Sequence, residues 1–286
     1  MFELLKSSPV FFLCSITLIS LLVGSFLNVV IARLPAMLSR AWHQMSKEYL
    51  AENPQPPQLP EKYNLATPRS HCPHCQHMIS AIENIPILSY CFLGGRCGNC
   101  KNKISLRYPI IEGLTAILSC LVAWKFGFSW QTGAALLLVW GLIALTMIDY
   151  DHQLLPDNIT LPLLWLGLLV NLNDLFANLS DAVIGAMAGY LVLWSVYWLF
   201  KLIRNKEGMG FGDFKLLAAL GAWLGWQSLP LIILLSSLIG AVVGISLMIF
   251  KNRDSQYAIP FGPYLAGAGF VALLWGQDIL HWYLGY

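Results

Sequence analysis

The feature that most constrains this chain is the recurrence of apolar stretches near the length of a membrane-crossing helix. A bilayer's hydrocarbon core is about 30 Å thick and takes about 20 apolar residues to cross. Eight stretches approach that length, at about 10–32, 108–126, 130–148, 159–177, 182–200, 214–229, 231–250 and 262–284. Of the 286 residues, 57% are hydrophobic and 11% charged, against roughly 45–50% and 25% in soluble domains. That balance excludes both a water-facing globule and a disordered chain. The expected fold is an all-α polytopic membrane protein with about eight transmembrane helices. The first stretch is long, follows only Lys6 and lacks a small-residue cleavage site, so it reads as a permanent anchor rather than a signal peptide.

Lysine and arginine stay preferentially in the cytoplasm. Nine of the 17 lie between the first two stretches: Arg33, Arg40, Lys47, Lys62, Arg69, Arg96, Lys101, Lys103 and Arg107. With that side inside, alternation also places Lys201, Arg204, Lys206, Lys215, Lys251 and Arg253 inside, leaving only Lys6 and Lys125 outside. Both termini are then expected to face the periplasm. The formal net charge of +2 gives no basis for nucleic-acid binding.

Three regions follow: the first helix at 1–32, a cytoplasmic insertion at 33–107, and a seven-helix membrane domain at 108–286. Within the insertion, residues 47–69 carry Pro54, Pro56, Pro57, Pro60 and Pro68 among polar residues, the mark of a linker. Beyond it, Cys72-Pro-His-Cys75 and Cys97-Gly-Asn-Cys100 form two CxxC knuckles separated by 21 residues. That pattern points to a small zinc-ribbon-like module with Cys72, Cys75, Cys97 and Cys100 as ligands. Disulfides are the alternative, disfavoured because cytoplasmic thiols are kept reduced. Four thiolates close a tetrahedral shell, so the zinc is expected to be structural, with His71, His74 and His77 as bystanders. Cys91 matches no pattern; Cys14 and Cys120 read as buried small hydrophobes.

Acids near a membrane are costly and need a reason. Asp157 precedes the fourth stretch and reads as its N-cap. Asp149 and Asp151 lie at the C-terminal end of the third, where the helix dipole repels carboxylates. Residues two apart on a helix point about 200° from each other, so Asp149, the deeper one, is the functional candidate and Asp151 a solvated surface acid. A second candidate is Asp213 in Gly208-Met-Gly210-Phe-Gly212-Asp213. Its helical face continues through Leu217, Gly221 and Gly225, where missing side chains admit a neighbouring helix. Asp149 closes a span running inward and Asp213 opens one running outward, so both reach similar depth at the cytoplasmic face. Two carboxylates sharing a proton can activate water as base and acid, which is aspartic-peptidase chemistry.

These residues resemble the bacterial type IV prepilin peptidases. The resemblance rests on Asp149 with Leu155-Pro156-Asp157, the Gly-Phe-Gly-Asp motif ending at Asp213, the paired knuckles, Gly24-Ser-Phe-Leu-Asn28 and Pro260-Phe-Gly-Pro263. It implies an inner-membrane enzyme whose partners are membrane lipid and two substrate classes, prepilins and the pseudopilins of type II secretion. Such an enzyme removes their basic leader after a glycine at the cytoplasmic face, then methylates the new N-terminal amine with S-adenosylmethionine. Asp149 and Asp213 take the catalytic roles by that resemblance, and Cys72, Cys75, Cys97 and Cys100 the zinc roles. No glycine-rich nucleotide fingerprint locates the methyl donor; Glu83, Asn84, Gly94, Gly95 and Arg96 are the residues near the knuckles with the chemistry to contribute. Two rival classes are an ion-coupled transporter with a regulatory zinc module and a scaffold recruiting partners through its ribbon. A transporter site is expected near the bilayer midplane on broken, repeated helices, whereas these acids lie at an edge and no internal repeat is visible.

Overall fold

The structure, a computed structural model, describes residues 2–50, 63–205, 209–251 and 260–284. Pro54, Pro56, Pro57 and Pro60 of the expected linker, Gly208 of the glycine motif, and Lys62, Lys206 and Arg253 of the charge pattern lie outside the described residues. Among the described residues there are helices but no strand, only the isolated bridges His71–Met78 and Arg96–Lys103. Two compact units divide the chain, Met1–Phe128 and Ser129–Tyr286.

The first unit contains α1 (Phe2–Ser7), α2 (Pro9–Leu50), α3 (Leu88–Phe92) and α4 (Arg107–Phe126). Helix α2 does not stop at the inner edge of the first apolar stretch. Residues 36–50 contain neither glycine nor proline, so the helix continues through the basic residues into the segment read as soluble. Helices α2 and α4 run antiparallel: Phe12 meets Phe128 edge-on with ring centroids 5.5 Å apart, Gly24 faces Glu112, and Asn28 reaches Tyr108. Glycine is required at position 24, since a Cβ there would stand 2.8 Å from the Glu112 Cα. The Asn28 amide donates to the carbonyls of Gly24 and Tyr108 at 3.2 and 3.3 Å. Buried Arg33 donates to the carbonyls of Asn64, Leu65 and Pro68, anchoring the chain that leads into the first knuckle.

The second unit comprises α5 (Trp130–His152), α6 (Asp157–Val170), α7 (Leu179–Arg204), α8 (Phe211–Leu224), α9 (Leu229–Lys251) and α10 (Gly262–Leu284). Helix α8 is its centre, packed against α6, α7 and α10, with every residue from Asp213 to Leu224 buried except Lys215. Glycine-to-glycine contact sets the α7–α8 approach: a Cβ on Gly221 would collide with the Gly185 carbonyl, and one on Gly189 would lie 2.6 Å from the Leu217 carbonyl oxygen. Gly225, at φ +78°, ends α8. The orphan carbonyls of Ala222 and Trp223 are then taken at 2.9 Å by the side-chain amide of buried Asn171, whose own oxygen accepts from the N–H groups of Phe176 and Ala177.

Among the described residues five helices are long and apolar enough to cross a membrane, at Pro9–Ser46, Arg107–Phe126, Trp130–His152, Leu179–Arg204 and Trp226–Ile249. They cover five of the eight stretches; the other three form α6, α8 and α10. Helices α6 and α8 have 14 residues each, about 21 Å at 1.5 Å per residue, short of the hydrocarbon thickness. Because α8 is sheathed by protein, its length need not match the lipid. Asp157 departs from its expected role: Pro156 is the N-cap of α6, and Asp157 sits in the first turn with its carboxylate 2.7 Å from Lys215 Nζ. Cys14 is exposed and Cys120 half-buried, contrary to the expectation of burial. Exposed Leu18 and Leu22 lie one and two turns beyond Cys14 on α2, so an apolar exterior keeps a small hydrophobe there without burial.

Replacing Gly185 or Gly221 by alanine is expected to overpack the α7–α8 contact and destabilise the protein by about 1–3 kcal/mol. Gly133→Ala, at a helical glycine with nothing within 4 Å of the added Cβ, should leave stability unchanged or slightly raised. Thermal unfolding of the three variants in detergent checks the order; a Gly221→Ala protein melting with Gly133→Ala would contradict the packing.

Candidate active site

Asp149 lies in the last turn of α5, 5% exposed. The helix ends three residues later, where Gln153 adopts φ +52° and its N–H donates to the Asp149 carbonyl. The unfavourable dipole of α5 is answered by another helix. Gly262, the first residue of α10, donates its backbone N–H to Asp149 Oδ2 at 2.9 Å, and a helix N-terminus attracts a carboxylate. No larger residue fits, since a Cβ on Gly262 would stand 2.7 Å from that oxygen.

Asp213, 7% exposed, sits in the first turn of α8 behind the N-cap Gly210. It is not itself the cap, but its carboxylate occupies the favourable end of the helix. Leu155 packs against the starts of both α8 and α10. Its Cβ would lie 2.7 Å from a Cβ on Gly212, next to Asp213, and its Cδ2 lies 3.1 Å from where a Cβ on Gly262 would be. Gly212 and Gly262 thus let the N-termini of α8 and α10 close on one leucine. Asp149 and Asp213 come within electrostatic range of each other. Asp157 and Lys215, joined at 2.7 and 2.8 Å, tie the start of α6 to the first turn of α8. Asp151 is exposed, as the 200° offset requires.

Gly262, Leu155 and the Asp157–Lys215 pair had no positional reason in the sequence beyond motif resemblance. The available signal was a glycine directly after Pro260-Phe261, where a helix begins.

In the first unit, the sulfurs of Cys72, Cys75, Cys97 and Cys100 lie within 4.8 Å of one another. Cys72–Cys100 are 3.8 Å apart and Cys75–Cys97 3.9 Å. Tetrahedral zinc with Zn–S bonds of about 2.3 Å requires S–S edges of about 3.8 Å, so the cage has the right size, while the separations are too long for disulfides of about 2.05 Å. The knuckles repeat one another. In each, the first cysteine's N–H bonds a carbonyl five residues on (His77, Asn102), and the residue after the second cysteine turns at φ +59° (Gln76, Lys101). Backbone N–H groups of Cys75 and His74 pull the Cys72 thiol below its ordinary pKa, and that of His77 does so for Cys75. At Cys100, the Asn102 N–H works in the same direction but is outweighed by burial and the neighbouring thiols, which push it up to about 11. Four sulfurs this close cannot all ionise without a cation, and the cage is compatible with zinc. The histidines stay outside: His71 contacts the Arg69 carbonyl, and His77 lies 3.5 Å from Glu83. Glu83, lowered in pKa by the N–H and hydroxyl of Ser80 and by His77, presses its carboxylate against Gly98 and so links the knuckles.

Comparison with known proteins joins the two regions. A model of the bacterial peptidase A24 N-terminal domain matches residues 18–126, and a model of the type IV leader peptidase family matches residues 136–245. The chain is 58% identical over 282 residues to a prepilin leader peptidase/N-methyltransferase of Aeromonas salmonicida (strain A449), covering 99% of this chain and 97% of the relative. A Pseudomonas aeruginosa protein of the same name gives the same identity and coverage. One from Legionella pneumophila is 46% identical over 283 residues, with 99% and 98% covered. No solved structure gives a significant match. Similarity at this level, extending through the aspartate motifs and both cysteine knuckles, leaves one assignment: the chain belongs to the type IV leader peptidase family.

Proposed function

We propose that the protein removes the leader peptide from type IV prepilins and the pseudopilins of type II secretion, then methylates the exposed N-terminal amine with S-adenosylmethionine. The observation that carries the peptidase half is the approach of two buried carboxylates, Asp149 and Asp213, beside Leu155. Sharing one proton, they act on a water molecule as base and on the departing amine as acid. Access to water follows from their position at helix ends rather than mid-span. A membrane-helical substrate with a basic leader on the cytoplasmic side presents its scissile bond at that depth.

The lysine and arginine distribution supports an inner-membrane orientation with both termini periplasmic and the dyad and cysteine cage on the cytoplasmic side. Zinc bound by Cys72, Cys75, Cys97 and Cys100 has a structural role in this reading, because four thiolates leave no open coordination position. The transporter reading finds no support: the relatives carry peptidase and methyltransferase names, and the acids sit at helix ends beside N-terminal backbone donors.

Asp149→Asn and Asp213→Asn are each expected to lower prepilin cleavage by about 10²–10⁴-fold while the protein stays inserted; membranes incubated with one prepilin provide the assay, and a variant cutting at the normal rate refutes the dyad. Cys72→Ser or Cys100→Ser should strip most of the zinc and loosen the ribbon, read by metal analysis of purified protein, where a metal-free native enzyme would contradict the cage. The processed pilin should gain one methyl group only when S-adenosylmethionine is supplied. A mass spectrum unchanged at saturating donor would reduce the enzyme to a peptidase.

A further inference from the structure

Three carboxylic acids are buried among the described residues: Asp149, Asp213 and Glu112. The first two form the dyad. Glu112 lies in α4, in the other compact unit, and is 8% exposed. Its hydrogen-bond donors are neutral, the Ile87 N–H at 2.8 Å and the Ser25 hydroxyl, and it forms no ion pair among the described residues. An acid inside a membrane helix without a cation is expensive and marks a functional site by default.

The group occupying this carboxylate is itself held in an unfavourable conformation. Ile87 has φ +59° and ψ −49°, and Leu88 N–H donates to the Pro86 carbonyl across it. That is a classic-type γ-turn, rare and strained, centred here on a β-branched residue. Strain of about 1–3 kcal/mol persists only where the surroundings impose it. Glu112 supplies one restraint through the N–H, and Gly113 another by accepting Ile87 Cδ1, 3.7 Å from where a Cβ would be. Gly24 and Asn28 hold the backbones of α2 and α4 together beside the acid.

We infer that Glu112 is the carboxylate that receives the new N-terminal amino group during methyl transfer, with the Ile87 N–H occupying its place until that group arrives. This rests on the methyltransferase half of the proposed function. An ammonium group presents N–H donors as the Ile87 amide does, and adds the positive charge that this buried anion lacks. In the transfer, the neutral amine's lone pair forms the new C–N bond as the methyl–sulfur bond of S-adenosylmethionine breaks. That lone pair is freed beforehand, when the bound ammonium gives one proton to Glu112, which passes it on to water. The electron pair of the methyl–sulfur bond stays on sulfur, S-adenosylhomocysteine leaves, and the product remains as a methylammonium beside the Glu112 carboxylate. Displacing Ile87 releases its strained turn and offsets part of the cost of opening the site.

Glu112→Gln keeps the size of the side chain and an acceptor for Ile87 but removes the charge. A purely structural role therefore expects this variant to behave like the parent. The catalytic role expects methylation, followed by mass spectrometry of a processed pilin, to fall at least tenfold, with leader cleavage and zinc content retained. Glu112→Asp retains the charge one methylene further back and should keep more methylation than Glu112→Gln. Unchanged methylation in Glu112→Gln overturns the inference, as does the reverse order of the two variants or a parallel loss of cleavage and methylation in both. Failure of parent enzyme to methylate at all would instead overturn the function on which it rests.

Discussion

The hydrogen bond from Gly262 N–H to Asp149 Oδ2 is the constraint on which the arrangement of the second unit turns. Asp149 stands at the C-terminal end of α5, where the partial charge of its own helix opposes a carboxylate. The N-terminus of α10 reverses that balance, and it can do so only because residue 262 lacks a side chain. From that contact follow the close seat of Leu155 against Gly262 and the packing of α10 on both α5 and α8. Asp213 uses the same end of its own helix. The two acids are thus brought together by the starts of α10 and α8, and the leucine packed against both keeps the ends of the helices in register.

Burying α8 creates a second demand, since the backbone groups at its C-terminal end are enclosed by protein and have no water to turn to. Asn171 answers it at the C-terminal end by accepting two N–H groups and donating to two carbonyls. Trp223 pins the same end to α6 through its bond to the Leu163 carbonyl at 2.8 Å. Gly185, Gly189 and Gly221 supply the close helix contact along the middle. With one end tied by a side-chain amide and the other by the Asp157–Lys215 pair, a 14-residue helix can present Asp213 from a fixed position although it is too short to be held by the bilayer itself.

Much of this was legible in the sequence because it rests on periodicity and spacing. The eight apolar stretches each became helix, the CxxC pairs converged, and the opposite faces of Asp149 and Asp151 separated one buried acid from one exposed. What escaped depends on partners distant in the chain. Whether Asp157 caps α6 or meets Lys215 is decided by where α8 begins, 54 positions later in the sequence. The extension of α2 beyond residue 32 escaped because a run of helix formers with charges reads as loop when hydropathy is the guide. The apolar setting of Cys14 suggests a core position by hydropathy alone, whereas a membrane helix has an apolar exterior. Glu112 gave no signal at all: a single acid near the start of an apolar stretch looks like an interfacial charge until Ile87 is seen against it.

The three acids buried among the described residues differ from exposed Asp157, which is neutralised by Lys215. Asp149 is instead met by a backbone N–H, Glu112 by a backbone N–H and the Ser25 hydroxyl, and Asp213 by the first turn of a helix. A salt bridge would bind up the carboxylate with a full opposite charge, and breaking it in a low-dielectric interior costs several kcal/mol. A backbone amide orients the acid without neutralising it and can be exchanged for water or an incoming amine at far smaller cost. A dipolar donor from the main chain leaves a buried carboxylate free for proton transfer as a cation does not, which is what the roles proposed for Asp149, Asp213 and Glu112 require.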